Sequence, residues 1–125
     1  MLVEETAPTD GPLPLPDPER SDAAVIVGTV SGHVVGYGWV VAQDIGDRRV
    51  GVVQEVLVQK EARGVGVGEA MMDLMTSWSA SRGCRYMDGR ALPGDRHAKG
   101  FFERHGFTAR LLVMHREIPN KDAGT

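Results

Sequence analysis

Seven residues, from Arg63 to Glu69, carry glycine at every second position and read Arg-Gly-Val-Gly-Val-Gly-Glu. They follow an apolar strand-like segment, 50–58, and lead into a helix-like segment that begins near Val67. Glycines in a strand-to-helix turn remove side-chain bulk, so that backbone N–H groups can converge on one anion. The positive end of the helix dipole points at the same place, and the Arg63 guanidinium adds a full charge. This segment therefore predicts a site for a phosphate or pyrophosphate group that needs no metal.

The composition is that of a single globular domain. The chain has 125 residues, of which 42% are hydrophobic and 25% charged. A net charge of −3 argues against a nucleic-acid partner, which favours a basic face. The lone Cys84 cannot form an internal disulfide, which favours a reducing, cytoplasmic setting. The acidic, proline-rich start does not resemble a signal peptide, and no apolar run approaches the length of a membrane span.

The chain divides into three parts. Five prolines between positions 8 and 18 disfavour a helix or a central strand, so we expect an irregular lead-in over 1–22. Leu2–Glu5 is the exception, with the pattern of a helix tail. One domain is expected over 23–118, and 119–125 is expected to be a frayed tail.

Alternating apolar residues between turn signals predict strands over 24–30, 33–44, 49–59, 85–92 and 107–117. A helix over 67–82 is predicted by apolar residues at three- and four-residue spacing, namely Val67, Ala70, Met71, Leu74, Met75 and Trp78. A second, shorter helix follows an N-cap at Asp95 and ends at Gly106. The order β-β-β-α-β-α-β predicts an α/β (α+β) fold, with a mixed, mostly antiparallel sheet and flanking helices.

Two common nucleotide-binding patterns fit the glycine loop poorly. A P-loop needs Lys-Ser/Thr after its last glycine, but Glu69 and Ala70 follow Gly68. A dinucleotide fingerprint would need glycine where Glu69 or Met71 stands. Asp88 lies at a suitable distance downstream for a ribose contact, but the preceding strands form hairpins rather than βαβ units. A nucleotide-dependent oxidoreductase is therefore disfavoured.

The third pattern, Arg-x-x-Gly-x-Gly, is matched by Arg63, Gly66 and Gly68. It follows a strand that ends in Glu-Val-Leu-Val, at 55–58, and precedes a second block, Ala-Lys-Gly-Phe-Phe-Glu-Arg-His-Gly-Phe, at 98–107. In these two blocks, and in the order of elements between them, the chain resembles the GCN5-related N-acetyltransferase (GNAT) family. The resemblance covers about 23–117.

The resemblance implies an acyl-CoA N-acyltransferase fold that here lacks the usual first strand and first helices. It implies acetyl-coenzyme A as co-substrate and no metal. The residues implied to bind it are Val56, Leu57, Val58, Arg63, Gly64, Val65, Gly66, Val67, Gly68 and Glu69. At a bulge, main-chain groups of 56–58 are expected to pair with the pantetheine arm, and the Leu57 N–H to stabilise the oxyanion. Glu55 is the expected base for the amine, or else it only orients or charges the acceptor pocket.

The chain departs from the family pattern at two places. Phe102 stands where many members have a tyrosine that protonates the leaving thiolate, so either another group serves or the thiolate leaves unaided. The other groups that can give up a proton are His97, His105, Tyr37 and Tyr86. The front segment is also short, so we expect a truncated start or a wall supplied by a partner chain, as in a homodimer.

The resemblance thus implies an N-acetyltransferase that acts on a small-molecule or peptide amine by direct attack, and the lone cysteine favours a cytoplasmic setting. Neither nucleic acid nor membrane is an expected partner. The alternative is a catalytically weak acyl-CoA-binding module, or a subunit that needs a partner chain.

Overall fold

A computed structural model describes residues 22–92 and 94–120. The predicted helix tail at Leu2–Glu5 and most of the predicted lead-in and tail lie outside these residues. The elements in chain order are β1 (Ala23–Val30), β2 (His33–Ile45), β3 (Arg48–Val58), α1 (Val67–Ser81), β4 (Tyr86–Gly89) and α2 (Arg96–Arg104).

Two hairpins and one crossover build the sheet. β1 pairs antiparallel with β2 and β2 antiparallel with β3, through turns at 31–32 and 46–47. Gly32 and Gly46 have φ of 81° and 62°, the left-handed backbone that such tight turns require. α1 then carries the chain back, so β4 lies parallel to β3 and the strand order is β1-β2-β3-β4. The predicted mixed, mostly antiparallel sheet is confirmed.

The core lies between α1 and one face of the sheet. Met71 and Met75 of α1 are fully buried against Val40 and Val53 of the two central strands. The helix α1 lies close to the sheet where the sheet carries glycine. A Cβ on Gly51 would lie only 2.2 Å from Oγ of a buried serine on α1. Side chains larger than glycine at this position would therefore push the helix off the sheet.

The buried face of α1 differs from the predicted stripe. Leu74 is 55% exposed and Ala70 is exposed, whereas Met72 and Ser79 are buried. Residues 70–72 and 74–75 offer two overlapping apolar faces, and close packing on the glycines of the sheet selects the one through Met71 and Met75. None of the helices in the described part of the chain is long and apolar enough to cross a membrane.

The last predicted strand, over 107–117, is wrong. After α2 the described residues contain no further strand, and four consecutive apolar residues, Leu111 to Met114, are 71–81% exposed. The predicted strand over 85–92 is also shorter, since β4 has only four residues. What the segment does make is a pair between Arg110 and Asp88 of β4, with Nε 2.9 Å from Oδ1.

Candidate functional site

A bulge interrupts β3 where the predicted site begins. On β2, Trp39 lies opposite Glu55, but the next residue, Val40, lies opposite Val53. Gln54 is therefore an extra residue without a partner position on β2. Such a bulge bends its strand and increases the local twist. The predicted bulge is thus present, immediately before 55–58.

β3 and β4 separate at the same level. Their parallel register runs from Val50 opposite Tyr86 to Val53 opposite Gly89, where β4 ends. Beyond this point β3 continues to Val58 paired with β2 on one edge, while on the edge that faced β4 no strand lies beside it among the residues that the structure describes. The result is a gap along one edge of β3.

The backbone groups that face the gap follow from the hydrogen bonds on the other edge. The Gln59 N–H donates to the Val35 carbonyl at 2.7 Å, which fixes that pair as a hydrogen-bonded one. Pairs alternate along an antiparallel ladder, so the Leu57 N–H also points to β2. The groups of Val56 and Val58 point into the gap. The expectation that the Leu57 N–H stabilises an oxyanion is therefore wrong, because that donor is used by the sheet.

The glycine loop joins the end of β3 to α1. A short 3-10 turn, Lys60–Ala62, precedes it. Gly64 and Gly66 have φ of 86° and 87°, so both need glycine for backbone conformation. The first helical bond runs from the Ala70 N–H to the Gly66 carbonyl at 3.1 Å. The N–H groups of 67–69 therefore have no acceptor within the helix, and an anion at the helix start can accept from them.

Gly68 is needed for another reason. The φ of Gly68 is not positive, so its backbone conformation does not require glycine. A Cβ at this position, however, would lie 2.9 Å from Cε1 of Phe101. The aromatic ring of α2 thus packs directly on the first turn of α1. Gly64 and Gly66 shape the loop, and Gly68 lets the second helix approach it.

A cleft lies between the free edge of β3, the glycine loop and α2. Its walls are Val56, Leu57, Val58, Arg63, Gly64, Gly68, Glu69, Asp95, His97, Ala98, Phe101 and Arg104. Most of the predicted binding residues are thereby brought together. Val65, Gly66 and Val67 are not among them, and Val67 is a core residue that is 8% exposed.

Glu55 lies beside the gap with two aromatic donors on one of its oxygens. The Tyr37 hydroxyl donates to Oε1 at 3.0 Å and the Trp39 indole N–H at 3.3 Å. Burial, and then the hydrogen bond and negative charge of Glu55, raise the pKa of Tyr37 to about 12. Tyr37 is therefore protonated at neutral pH and remains a donor, and the two aromatic residues hold the carboxylate in one orientation.

Phe102 does not face the cleft. It is 5% exposed, and a Cβ on Gly89 would lie 2.4 Å from its ring. Of the groups that could replace a tyrosine there, His97 lies on the cleft, with Nε2 3.1 Å from Nη1 of Arg63. Tyr86 lies outside the cleft, where Cζ of the Arg48 guanidinium is 4.4 Å from the centre of its ring.

Two other chemistries gain no support from the described residues. The Cys84 thiol is half-buried, and burial raises its pKa, so it is not prepared to be a nucleophile. No group of three or more His, Cys, Asp or Glu side chains within 22–92 and 94–120 is placed to hold a metal ion.

One wall of the cleft, contributed by α2, was not among the predicted binding residues. His97, Phe101 and Arg104 follow one another at four- and three-residue spacing, which places them on one face of a helix. That spacing was available in the sequence. The spacing does not show that the face of α2 with Phe101, rather than the neighbouring face with Phe102, lies towards the loop.

Comparison with known proteins gives the following matches. A model of the acetyltransferase (GNAT) family matches residues 4–107. Among solved structures, AAC(6')-Iy in complex with the bisubstrate analogue CoA-S-monomethyl-acetylneamine is 17% identical, with a TM-score of 0.69 over 80% of this chain and 72% of that one. An acetyl transferase of Pyrococcus furiosus is 24% identical (TM-score 0.68; 79% and 68% covered).

A ribosomal-protein-alanine N-acetyltransferase from Brucella melitensis biovar Abortus 2308 is 17% identical, with a TM-score of 0.66 over 81% of this chain and 73% of that one. At these identities the likeness shows a shared fold. A comparison with curated protein sequences gave no match.

Proposed function

Because the chain belongs to the acetyltransferase (GNAT) family, we propose that it is an N-acetyltransferase that moves an acetyl group from acetyl-coenzyme A to a primary amine. The observation that carries this proposal is the gap along β3. Backbone groups of Val56 and Val58 face it, and the glycine loop with its free helix N–H groups closes one end. An extended amide-containing arm joined to a pyrophosphate has the shape and polarity that this arrangement accepts.

The glycine loop is proposed to hold the pyrophosphate. N–H groups of 67–69 and the Arg63 guanidinium supply donors and positive charge without a metal. The pantetheine amides then pair with β3 as an additional strand would. The Val56 N–H lies nearest the bulge among the groups that face the gap. It is the proposed donor to the thioester oxygen as negative charge develops there.

Glu55 is the proposed base. The amine nitrogen attacks the thioester carbon, the carbon–sulfur bond breaks, and the proton of the amine passes to the carboxylate, directly or through a water. Tyr37 and Trp39 keep the Glu55 carboxylate oriented during this step through their bonds to Oε1. They therefore act as positioning residues.

The leaving thiolate is proposed to depart without a proton from Tyr37. A hydroxyl whose pKa is about 12 would have to protonate a thiolate whose conjugate acid has a pKa near 8.5, an uphill transfer by about 3.5 pKa units. A thiolate of that basicity is an adequate leaving group at neutral pH. Phe102 is thus compatible with turnover, because no acid is required at its position.

We propose a small-molecule or peptide amine as acceptor, a cytoplasmic setting and a homodimer that completes the acceptor side. Among the residues that the structure describes, the five most exposed large apolar side chains, at 71–81%, all lie after α2 and are available for contact with a second copy. The dimer would be contradicted if sedimentation found only monomer at a micromolar concentration at which an activity assay found full turnover.

A second candidate is an acyl-CoA-binding subunit without catalysis of its own. The burial of Phe102 in the core favours it, since the usual acid is absent and its position does not reach the cleft. This candidate predicts cofactor binding without thiol release.

Release of free thiol from acetyl-coenzyme A over a panel of amines tests the proposal. We expect Glu55→Gln to lower kcat by about 10²–10³-fold while leaving the Kd for acetyl-coenzyme A unchanged in calorimetry. Glu61→Gln, at an exposed carboxylate in the 3-10 turn, is the matched control and should behave as wild type. Tight binding without thiol release from any amine would instead support the non-catalytic subunit.

A further inference from the structure

Exposed valines of β1 lie on the face of the sheet that points away from α1. Ile26 packs against the core beneath α1, and a Cβ on Gly28 would clash with the Val67 side chain of that helix. Successive residues of a strand point to opposite faces, so Val25 and Val27 lie on the other face. They are 45% and 53% exposed.

These valines are in register with the groups around the proposed base. Val25 lies opposite Trp39 of β2, and Trp39 lies opposite Glu55 of β3. In the next row along the strands, Val27 lies opposite Tyr37. Directly opposite residues share a face and contact one another. The valines, the two aromatic residues and the Glu55 carboxylate therefore lie on one face of the sheet.

This face is apolar except at one end. Trp39 is 8% exposed and forms the floor between Val25 and Glu55, and the half-buried Tyr37 donates its hydroxyl hydrogen to Oε1 of Glu55 at 3.0 Å. Two strand spacings, about 10 Å, separate β1 from β3. Within these rows Glu55 has the only carboxylate, so the apolar surface ends at a single negative charge.

We infer that the acceptor is an amine with one positive charge and an apolar body, bound with its nitrogen at Glu55 and its body across Tyr37 onto Val27 and Val25. This inference rests on the proposed function, in which Glu55 takes a proton from the amine. The ammonium form pairs with the carboxylate before it gives up that proton. A second ammonium group on the body would lie over the valines, where it loses hydration and has no carboxylate to pair with. Polyamines are therefore poor acceptors.

The test compares two amines of the same chain length, hexylamine and 1,6-diaminohexane, by thiol release at saturating acetyl-coenzyme A. The second amine differs only by an ammonium group at the far end. Wild type should have a kcat/KM for hexylamine at least about tenfold above that for the diamine, because burial of an unpaired charge is costly. The difference should lie mainly in KM, since the far end does not contact the reacting atoms.

Three variants locate the apolar contact. Val27→Glu places a carboxylate where the second ammonium lies, so the preference should fall or reverse in favour of the diamine. Val30→Glu is the matched control, because it adds the same charge to an exposed valine on the opposite face of β1 and should keep the wild-type preference. Val27→Thr conserves shape and β propensity and should lower kcat/KM for hexylamine several-fold. An unchanged calorimetric Kd for acetyl-coenzyme A shows that each variant is folded.

Several results would overturn this inference and leave the proposed function intact. One is that wild type uses the diamine as well as hexylamine or better. Another is that the preference is the same in folded Val27→Glu as in wild type. If Val27→Glu instead converts a dimer to a monomer in sedimentation without changing the preference, the valines contact a second copy rather than the acceptor. Absence of thiol release with every amine would overturn the proposed function as well.

Discussion

Tyr37 is the residue whose titration the site alters most clearly. Its hydroxyl loses exposure on folding and donates to a carboxylate, and both effects favour the protonated form. The pKa therefore rises from its ordinary value near 10 to about 12. Because the folded state holds this proton more tightly than the unfolded state does, the phenol contributes to stability below pH 10. That contribution is lost as the pH rises from about 10 towards 12.

We predict that Tyr37→Phe flattens the loss of stability at alkaline pH. The phenylalanine has no proton to lose, so the free energy of unfolding should fall less steeply between about pH 10 and pH 12 than in wild type. Urea midpoints measured at several pH values in this window give the slope. Tyr86→Phe removes the only other tyrosine and should keep the wild-type slope. Parallel curves for wild type and Tyr37→Phe would show that the Glu55 contact does not control this proton.

At the scale of elements, two glycines in the helices have opposite effects on packing. A Cβ on Gly68 would meet the rigid Phe101 ring at 2.9 Å, at the contact between α1 and α2. A Cβ on Gly100 would meet only the mobile end of Arg104, at 3.4 Å. Gly100 also lies inside α2, where glycine is a poor helix former.

We therefore predict changes of opposite sign for two Gly-to-Ala substitutions. Gly68→Ala should lower the free energy of unfolding by about 1–3 kcal/mol, since it overpacks a tight contact. Gly100→Ala should raise it by up to about 1 kcal/mol through helix propensity. Chemical denaturation of both variants beside wild type measures this. An unaffected Gly68→Ala would mean that α2 does not pack on α1 as described, and a destabilised Gly100→Ala would mean that the Arg104 side chain does not make room for the added Cβ.

The parts of the fold that depend on short stretches of sequence, such as turns and the glycine loop, could be predicted from the sequence. The turn at Gly32 and the glycine loop were predicted because turn residues and motif spacing are short-range, whereas the bulge in β3 was expected only from the family resemblance. The strand predicted over 107–117 does not form, because strand pairing depends on a partner edge elsewhere in the chain, which local signals do not describe, and β4 ends at Gly89. The buried face of α1 was also misplaced, because the glycines of distant strands decide which methionines are buried.

At the scale of the whole molecule, two stretches far apart in sequence form the cleft. The end of β3 and the loop are contiguous, so their joint site could be predicted. The wall from α2 comes from residues about 30 positions later, and its orientation depends on Phe101 packing against Gly68. Only the structure shows which edge of β3 the N–H groups of Val56 and Leu57 face. A bulge shifts the alternation of hydrogen-bonding directions along the strand by one residue.

The central claim is that the free edge of β3 and the glycine loop bind acetyl-coenzyme A. Amide hydrogen exchange followed by NMR tests it directly, because the β3 edge has a built-in control. With acetyl-coenzyme A, the N–H groups of Val56, Val58 and 67–69 should exchange more slowly, while that of Leu57, already bonded to β2, should change little. Unchanged exchange at Val56 and Val58, or the same protection by NAD, would contradict the account.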